Sequence, residues 1–215
     1  MTGYLVPAGY GEAEYVDKKS RFIGRVWRIA DEAEALAHIA EVRKRHADAT
    51  HNVYAYIVKN GGIMRFSDDG EPGGTAGMPT LNVLRAQRIE DVCCVVTRYF
   101  GGILLGSGGL VRAYSKAAAA ALEAAGTAEM QLWREVAVRC DYALFERVRR
   151  LAEQWECGEI TADFAAEVTV RALCREDRCD GFAAAVREKS NGAAETRFAG
   201  ERYSPAAVQK GRATN

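Results

Sequence analysis

Nine of the 21 glycines in this chain fall in two short stretches. Gly70, Gly73, Gly74 and Gly77 lie between Ser67 and Pro79, and Gly101, Gly102, Gly106, Gly108 and Gly109 lie within nine consecutive positions. An even spread would place about two there. Glycine loses more conformational freedom on folding than any other residue, so clustering of this kind has a cause: a backbone at positive φ, or a backbone brought close to something else. The second stretch follows a run of unbroken apolarity, Val92 to Thr97, and the segment Arg98-Tyr99-Phe100. It precedes an alanine-rich helical segment, Leu110 to Ala125, which Gly126 is placed to stop. A strand, a glycine loop and a helix start present free backbone N–H groups and a positive dipole end, the usual cradle for a phosphate or carboxylate.

Charge around this loop is one-sided. No acidic residue occurs between Asp91 and Glu123, and Arg112 and Lys116, four apart, project from one helical face. Arg98, Tyr99, Ser107, Arg112, Tyr114 and Lys116 are the side-chain candidates for an anion site, with Tyr99 and Tyr114 as stacking platforms for exposed bases. A second reading has the glycines serve only a tight turn and close helix-to-sheet packing, in which case Gly108→Ala lowers stability; both readings stand at this point. The stretch is neither a Walker A loop nor GxGxxG.

The first stretch brings Asp68, Asp69 and Glu71 within four positions, which suits a cation or a general base. Adjacent carboxylates diverge, however, the alternating acids of a calcium loop are missing, and Asp-Gly and Pro-Gly are ordinary turn dipeptides, so a solvated turn is expected. Ser67, Asp68, Asp69, Glu71, Gly73, Gly74 and Thr75 are placed beside the cationic loop, together with His51, which leads into a strand. His38 falls on a solvated helical side, and His46 closes its helix among Arg43, Lys44 and Arg45 as a charge partner for the helix end. Cys93 and Cys94 read as core residues. No Ser, His and acid set is recognisable, and neither a metal nor a cofactor is expected.

Composition narrows the class. Lys plus Arg and Asp plus Glu both total 29, for a net charge of zero, which argues against generic coating of nucleic acid and confines any anion-binding surface to a local patch. At 48% hydrophobic and 27% charged the chain is ordinary for a globular protein, and no apolar run approaches the ~20 residues of a membrane span. The first residues lack a basic and an apolar signal region, and the six cysteines include no CxxC, so a cytoplasmic protein without disulfides is expected. Cys174 and Cys179 alone fall in a polar stretch.

Hydrophobic periodicity divides the chain near Gly126 to Leu132. Ahead of it come a strand pair over residues 10–30, a helix from a capping-box-like start at Asp31 to about His46, and a hairpin of Val53 to Val58 with Ile63 to Phe66 around Asn60-Gly61-Gly62. After the loop to Pro79 come an apolar stretch from Leu81 to Leu84, the buried strand at Val92 and the alanine-rich helix. Beyond the boundary, strands at Val136 to Cys140, Ile160 to Phe164, Val168 to Ala172 and Thr196 to Phe198 alternate with helical stripes at Leu144 to Trp155 and Cys179 to Val186. That order, βαββαβ, is the ferredoxin-like split unit. Domains of 1–130 and 131–200 are expected, with a mobile tail over 201–215.

The stretches KKSRFIG (18–24), THNVYAY (50–56), SDDGEPGGTAGMP (67–79) and VVTRYFGGILLGSGGLVRAYSKAA (95–118), in that order and spacing, resemble the IMPACT family, whose bacterial members are also called the YigZ family. The likeness spans nearly all of the first domain by motif and residues 132–200 by pattern. It implies an α+β chain: a ribosomal protein S5 domain 2-like N-terminal domain followed by a ferredoxin-like C-terminal domain, a pairing also found in elongation factor G. The family is regarded as nucleic-acid or ribosome associated. Its eukaryotic members regulate translation under amino-acid starvation, but they carry an additional N-terminal partner-binding domain, and this sequence starts almost at the family core, so that role is not transferred.

The expectation is therefore a non-enzymatic, translation-associated protein that binds RNA, the ribosome or a protein of the translation machinery through the Gly101 to Lys116 surface. The alternative is a phosphate- or nucleotide-binding enzyme like the small-molecule kinases of the S5-like fold, with Asp68, Asp69 or Glu71 on Mg²⁺. A third is a scaffold whose motifs serve the fold alone.

Overall fold

Period-two burial marks the first strand of the first hairpin, its partner is buried on both faces, and two lysines make the turn. In the computed structural model, which describes residues 3–205, β1 (Tyr4–Pro7) precedes β2 (Gly11–Asp17) and β3 (Ser20–Arg28). β2 and β3 pair antiparallel from Gly11 opposite Val26 to Asp17 opposite Ser20. Lys18 and Lys19 make the turn at φ 45° and 67°, two successive left-handed residues whose twist matches that of the strands. α1 (Glu32–Arg45) starts as its sequence dictates: Asp31 accepts from the Glu34 N–H at 2.9 Å, and Glu34 reaches back to the Ala30 N–H.

β4 (His51–Val58) and β5 (Ile63–Ser67) form the expected hairpin, followed by α2 (Gly77–Ala86), β6 (Val92–Tyr99) and α3 (Ser107–Ala125). The sheet order is β2-β3-β6-β4-β5, antiparallel throughout, with β6 at its centre. Burial on both faces follows from that place. Cys94 and Val96 join Phe22, Leu84 and Leu122 in the core under α2 and α3, while Cys93 and Val95 join Ile39 and Val42 under α1. α3 lies close on the sheet because glycine faces alanine: a Cβ on Gly24 would sit 2.4 Å from the Ala117 carbonyl oxygen. α2 takes in the end of the expected loop, since Pro79 in its first turn has no N–H to leave unbonded.

Two compact units emerge, Tyr4–Glu129 and Met130–Ser204. The second follows from β7 (Thr127–Cys140), α4 (Tyr142–Gln154), β8 (Gly158–Phe164), β9 (Val168–Arg175), a 3₁₀ turn at Glu176–Arg178, α5 (Cys179–Lys189) and β10 (Glu195–Pro205). β10, β7, β9 and β8 lie side by side in that order, with Val136, Val138, Val170 and Ala172 packed on Val148, Leu151, Phe182 and Val186 of α4 and α5.

Two expectations are corrected in this unit. Cys174 and Cys179 are buried, because Val168, Val170, Ala172 and Cys174 share the inward side of β9, and Cys179 begins the inward face of α5. The last strand runs to Pro205, so residues 201–205 are not a loose tail; Trp133 Nε1 donates to the Ser204 carbonyl at 3.3 Å. The remainder of the expected tail, 206–215, lies outside the described residues. The described residues thus make a mixed α and β chain with five α-helices and antiparallel sheets. None of those helices is long and apolar enough to cross a membrane.

Candidate functional site

Glu71 is the point at which the two glycine stretches meet. Its Oε1 accepts from Arg98 Nη1 at 2.6 Å and from the Tyr114 hydroxyl at 2.8 Å, and His51 Nε2 stands 3.8 Å away. The acidic loop, the end of β6 and the second turn of α3 are therefore joined by one buried carboxylate. His51 Nδ1–H donates to the Asp69 carbonyl at 2.7 Å, which orients the ring so that Nε2 faces Glu71. Arg98 is 5% exposed, its guanidinium lies between the rings of Phe22 and Phe100, and its Nε has no partner among the described residues.

This arrangement corrects two sequence assignments. Tyr114 is fully buried, edge-on to Phe22 at 5.1 Å between ring centres, so it is no stacking platform. Burial first, and then the Glu71 charge, push its hydroxyl pKa far above the usual range. Arg98 is likewise spent on an internal ion pair and is not an exposed phosphate contact.

The other two acids of the first stretch also work internally. Asp68 Oδ1 accepts from the N–H groups of Ala76 (3.0 Å) and Gly77 (2.7 Å), and Oδ2 accepts from Gly74 (2.9 Å). It thus caps α2 from outside the helix, where Ala76 has no capping side chain. Burial raises the Asp68 pKa, but those three bonds outweigh it and hold the carboxyl below its ordinary value. Asp69, at φ 46°, binds Arg43 Nη2 through Oδ1 (2.6 Å) and the Asn52 N–H through Oδ2 (2.7 Å), and its own N–H donates to Ser67 Oγ. The Thr75 hydroxyl donates to the Pro72 carbonyl, while Gly73 and Gly74 are exposed. Instead of a solvated turn, the loop is an ordered clamp, and none of its three carboxylates is free for a cation. Among the described residues no group of three His, Cys, Asp or Glu is arranged to hold a metal.

The second stretch wraps the Lys18-Lys19 turn. A Cβ on Gly101 would lie 2.1 Å from the Lys19 carbonyl carbon, and the Gly101 N–H donates to Ser20 Oγ. Lys18 Nζ donates to the Leu104 carbonyl at 3.5 Å, and Gly102 and Gly106 adopt φ 81° and 74°. α3 begins at Ser107, earlier than the expected Leu110. The Leu110 N–H makes the first bond back to the Gly106 carbonyl at 2.9 Å, so the N–H groups of Ser107, Gly108 and Gly109 precede the intrahelical ladder. Arg112 is exposed. Lys116, also exposed, lies over the Tyr15 ring and reaches its hydroxyl at 3.4 Å.

Tyr99 belongs elsewhere. Successive β6 residues face opposite sides of the sheet, so Tyr99 joins a network on the α1 side, away from Arg98. There Arg25, 3% exposed, donates through Nε to Glu12, through Nη1 to Thr97 Oγ1 and through Nη2 to His46 Nε2 at 2.9 Å. His46 Nδ1–H then donates to the Tyr99 hydroxyl at 2.8 Å, which donates to Asp48. Because arginine has no acceptor, His46 bonds it as a neutral ring. Burial, then Arg25 and Arg45, hold its pKa below the ordinary 6.5, so it is not the charged helix-end partner expected from its sequence neighbours.

Sequence reasoning missed the apolar rim of the loop: Phe100, Ile103 and Leu104 are exposed, Leu104 by 80%. An apolar run inside a glycine-rich loop with no periodicity was the available signal. It also missed the hairpin lysines, whose contact with Gly101 spans more than eighty positions. Cys93 and Cys94 are core residues as expected; burial pushes Cys93 up to about 12 and Cys94 higher still.

Comparison with known proteins gives matches along most of the chain. Residues 18–122 match the family model of the Impact N-terminal domain, and residues 138–193 match a domain of unknown function, DUF1949. The chain is 37% identical over 193 residues to IMPACT family member YvyE of Bacillus subtilis, covering 89% of each. It is 34% identical over 195 residues to IMPACT family member YigZ of Escherichia coli, covering 89% of this chain and 96% of the relative. A crystal structure described only as a hypothetical protein superposes with a TM-score of 0.59 at 33% identity, over 91% of this chain and 97% of that one.

Proposed function

As the chain belongs to the IMPACT family, we propose that it is a translation-associated regulatory protein, non-enzymatic, that binds RNA or the ribosome through the outer surface at the start of α3. One observation carries this reading. Lys18, Lys19, Arg112 and Lys116 are exposed, the Lys18-Lys19 turn packs on Gly101 with Lys18 reaching the Leu104 carbonyl, and the N–H groups of Ser107 to Gly109 precede the helical ladder, while Glu71 of the adjoining loop is buried and paired with Arg98. Such a patch offers a phosphate both charge and backbone donors. The apolar rim at Phe100 and Leu104 supplies contact area that phosphate alone does not use, which suits a folded RNA or a ribonucleoprotein surface better than a small anion.

Two finer assignments go with it. We read the first unit as S5 domain 2-like and the second as ferredoxin-like. The latter is supported by the βαββαβ order and by strands lying fourth, first, third, second. Engagement of Asp68, Asp69 and Glu71 by protein donors weakens the alternative of a nucleotide-binding enzyme, which needs carboxylates for Mg²⁺. The test is sedimentation of the purified protein with ribosomes and with structured RNA over a salt series. Association that weakens steadily as salt rises is expected, and no association even at low salt overturns the proposal.

A further inference from the structure

The second unit gathers three thiols that the RNA-binding reading does not use. β8 and β9 pair antiparallel with Gly158 opposite Leu173, and one further step of that register sets Cys157 opposite Cys174. Cys157 packs against the buried cluster that contains Cys174, whose own Sγ donates to the Arg175 carbonyl at 3.7 Å. Cys179, at the first position of α5, directs its Sγ toward the carbonyls of Cys174 (3.7 Å) and Arg175 (3.4 Å) behind them. Cys157 alone of the three is partly exposed. It sits between Glu156 and Glu159, both non-glycine residues at positive φ (55° and 49°), beside the register shift between Gly158 and Thr161. Strained backbone of this kind persists only where the surrounding fold imposes it, and here it fixes where Cys157 stands.

We propose that Cys157 and Cys174 are a reversible oxidation site, closed into a disulfide by hydrogen peroxide or an organic hydroperoxide. Cross-strand neighbours have Cα atoms about 4.5–5.5 Å apart, inside the roughly 4.4–6.8 Å that a disulfide spans. The Cys157 thiolate attacks the O–O bond, becoming a sulfenic acid as the other oxygen leaves and is protonated, to water from hydrogen peroxide or to an alcohol from an organic hydroperoxide. The Cys174 thiol then attacks the Cys157 sulfur, its proton leaving with the sulfenic oxygen as water. Two thiols lose two electrons, and the peroxide takes them up.

The roles are unequal. The neighbouring Cys174 thiol, and then the Arg178 charge, hold the Cys157 thiol below its ordinary value against burial. Cys174 is pushed up, first by its Cys157 neighbour and then by burial, and burial with the neighbouring Cys174 pushes Cys179 up to about 12. Cys157, the one of the three that solvent reaches, is therefore the attacking sulfur and Cys174 the resolving one.

Peptide mapping without reductant, after hydrogen peroxide treatment of the full chain, tests this. The expected product joins the peptides carrying Cys157 and Cys174, is lighter by two hydrogens, and returns to thiols with dithiothreitol, while Cys93 and Cys94 stay reduced. In Cys174→Ser, Cys157 should accumulate as a sulfenic acid that dimedone captures. In Cys157→Ser, peroxide-dependent loss of the Cys174 thiol should slow about tenfold. Absence of the Cys157–Cys174 product in the unaltered chain overturns the proposal, whatever the variants do. So does bridging of Cys174 to Cys179 at an undiminished rate in Cys157→Ser.

Discussion

Glu71 and Arg98, 27 positions apart, meet at 2.6 Å with both side chains almost wholly buried. Removing one charge from such a pair strands the other away from water, so Glu71→Gln should destabilise the chain by about 3–5 kcal/mol. Glu71→Leu combined with Arg98→Met and Tyr114→Phe, which removes all three polar partners, should recover most of that loss. Urea unfolding of the single and combined variants decides the matter; a single change within about 0.5 kcal/mol of the parent would show that the pair does not hold the two loops.

That pair also explains what was legible. Strands, hairpins and helices followed from periodicity and turn chemistry, because those signals are local: Asp31 caps α1, Asn60-Gly61-Gly62 turns β4 into β5, and unbroken apolarity puts β6 at the sheet centre. The candidate site draws on both glycine stretches, and its assembly is not local. Arg98 and Tyr99 are adjacent in sequence and so face opposite sides of the sheet. Asp68 has the sequence setting of a solvated turn residue, whereas its carboxylate reaches ahead to the N–H groups of Ala76 and Gly77 and caps α2. A one-dimensional pattern shows which residues are charged, but not which charge cancels which.

Glycine substitutions separate fold from ligand. Gly101→Ala would drive a Cβ to 2.1 Å from the Lys19 backbone, and relief requires the hairpin to move, so a loss of about 1–3 kcal/mol is expected. Gly108→Ala should behave oppositely to the sequence expectation. The residue is helical, its φ is not positive, and its Cβ would meet only Arg112 Nη1 at 3.7 Å, so stability should rise by up to about 1 kcal/mol. If RNA phosphate approaches the N–H groups there, association should nevertheless weaken. Thermal unfolding and sedimentation of the same variant read the two effects, and a Gly108→Ala protein less stable than its parent would refute this account.

Acid should loosen the first unit through His46. Its pKa is lowered in the fold, so the unfolded chain takes up the proton first: stability is complete above the ordinary value of 6.5 and is lost as pH falls through it toward the folded value. The urea midpoint should therefore drop between about pH 7.5 and about pH 5.5, and His46→Gln, which cannot titrate, should show a shallower drop. An identical pH dependence in parent and variant would remove His46 as the cause.

Charge reversal at the start of α3 bears most directly on the proposed surface. Arg112 is exposed, and Lys116 is exposed with only a ring and a 3.4 Å hydroxyl contact, so Arg112→Glu with Lys116→Glu should cost under about 1 kcal/mol of stability. Against a phosphate at the N–H groups of Ser107 to Gly109 the same change replaces two attractions by two repulsions. RNA or ribosome association should fall, and the slope of log affinity against log salt should flatten by roughly one for each phosphate that is no longer neutralised. Reversal of Arg85 and Arg88, exposed at and just after the C-terminal end of α2, serves as the control for bulk charge and should leave the slope nearly unchanged. Equal flattening by both pairs would mean that net charge, not this surface, governs association; no flattening by either would leave the glycines to serve the fold alone.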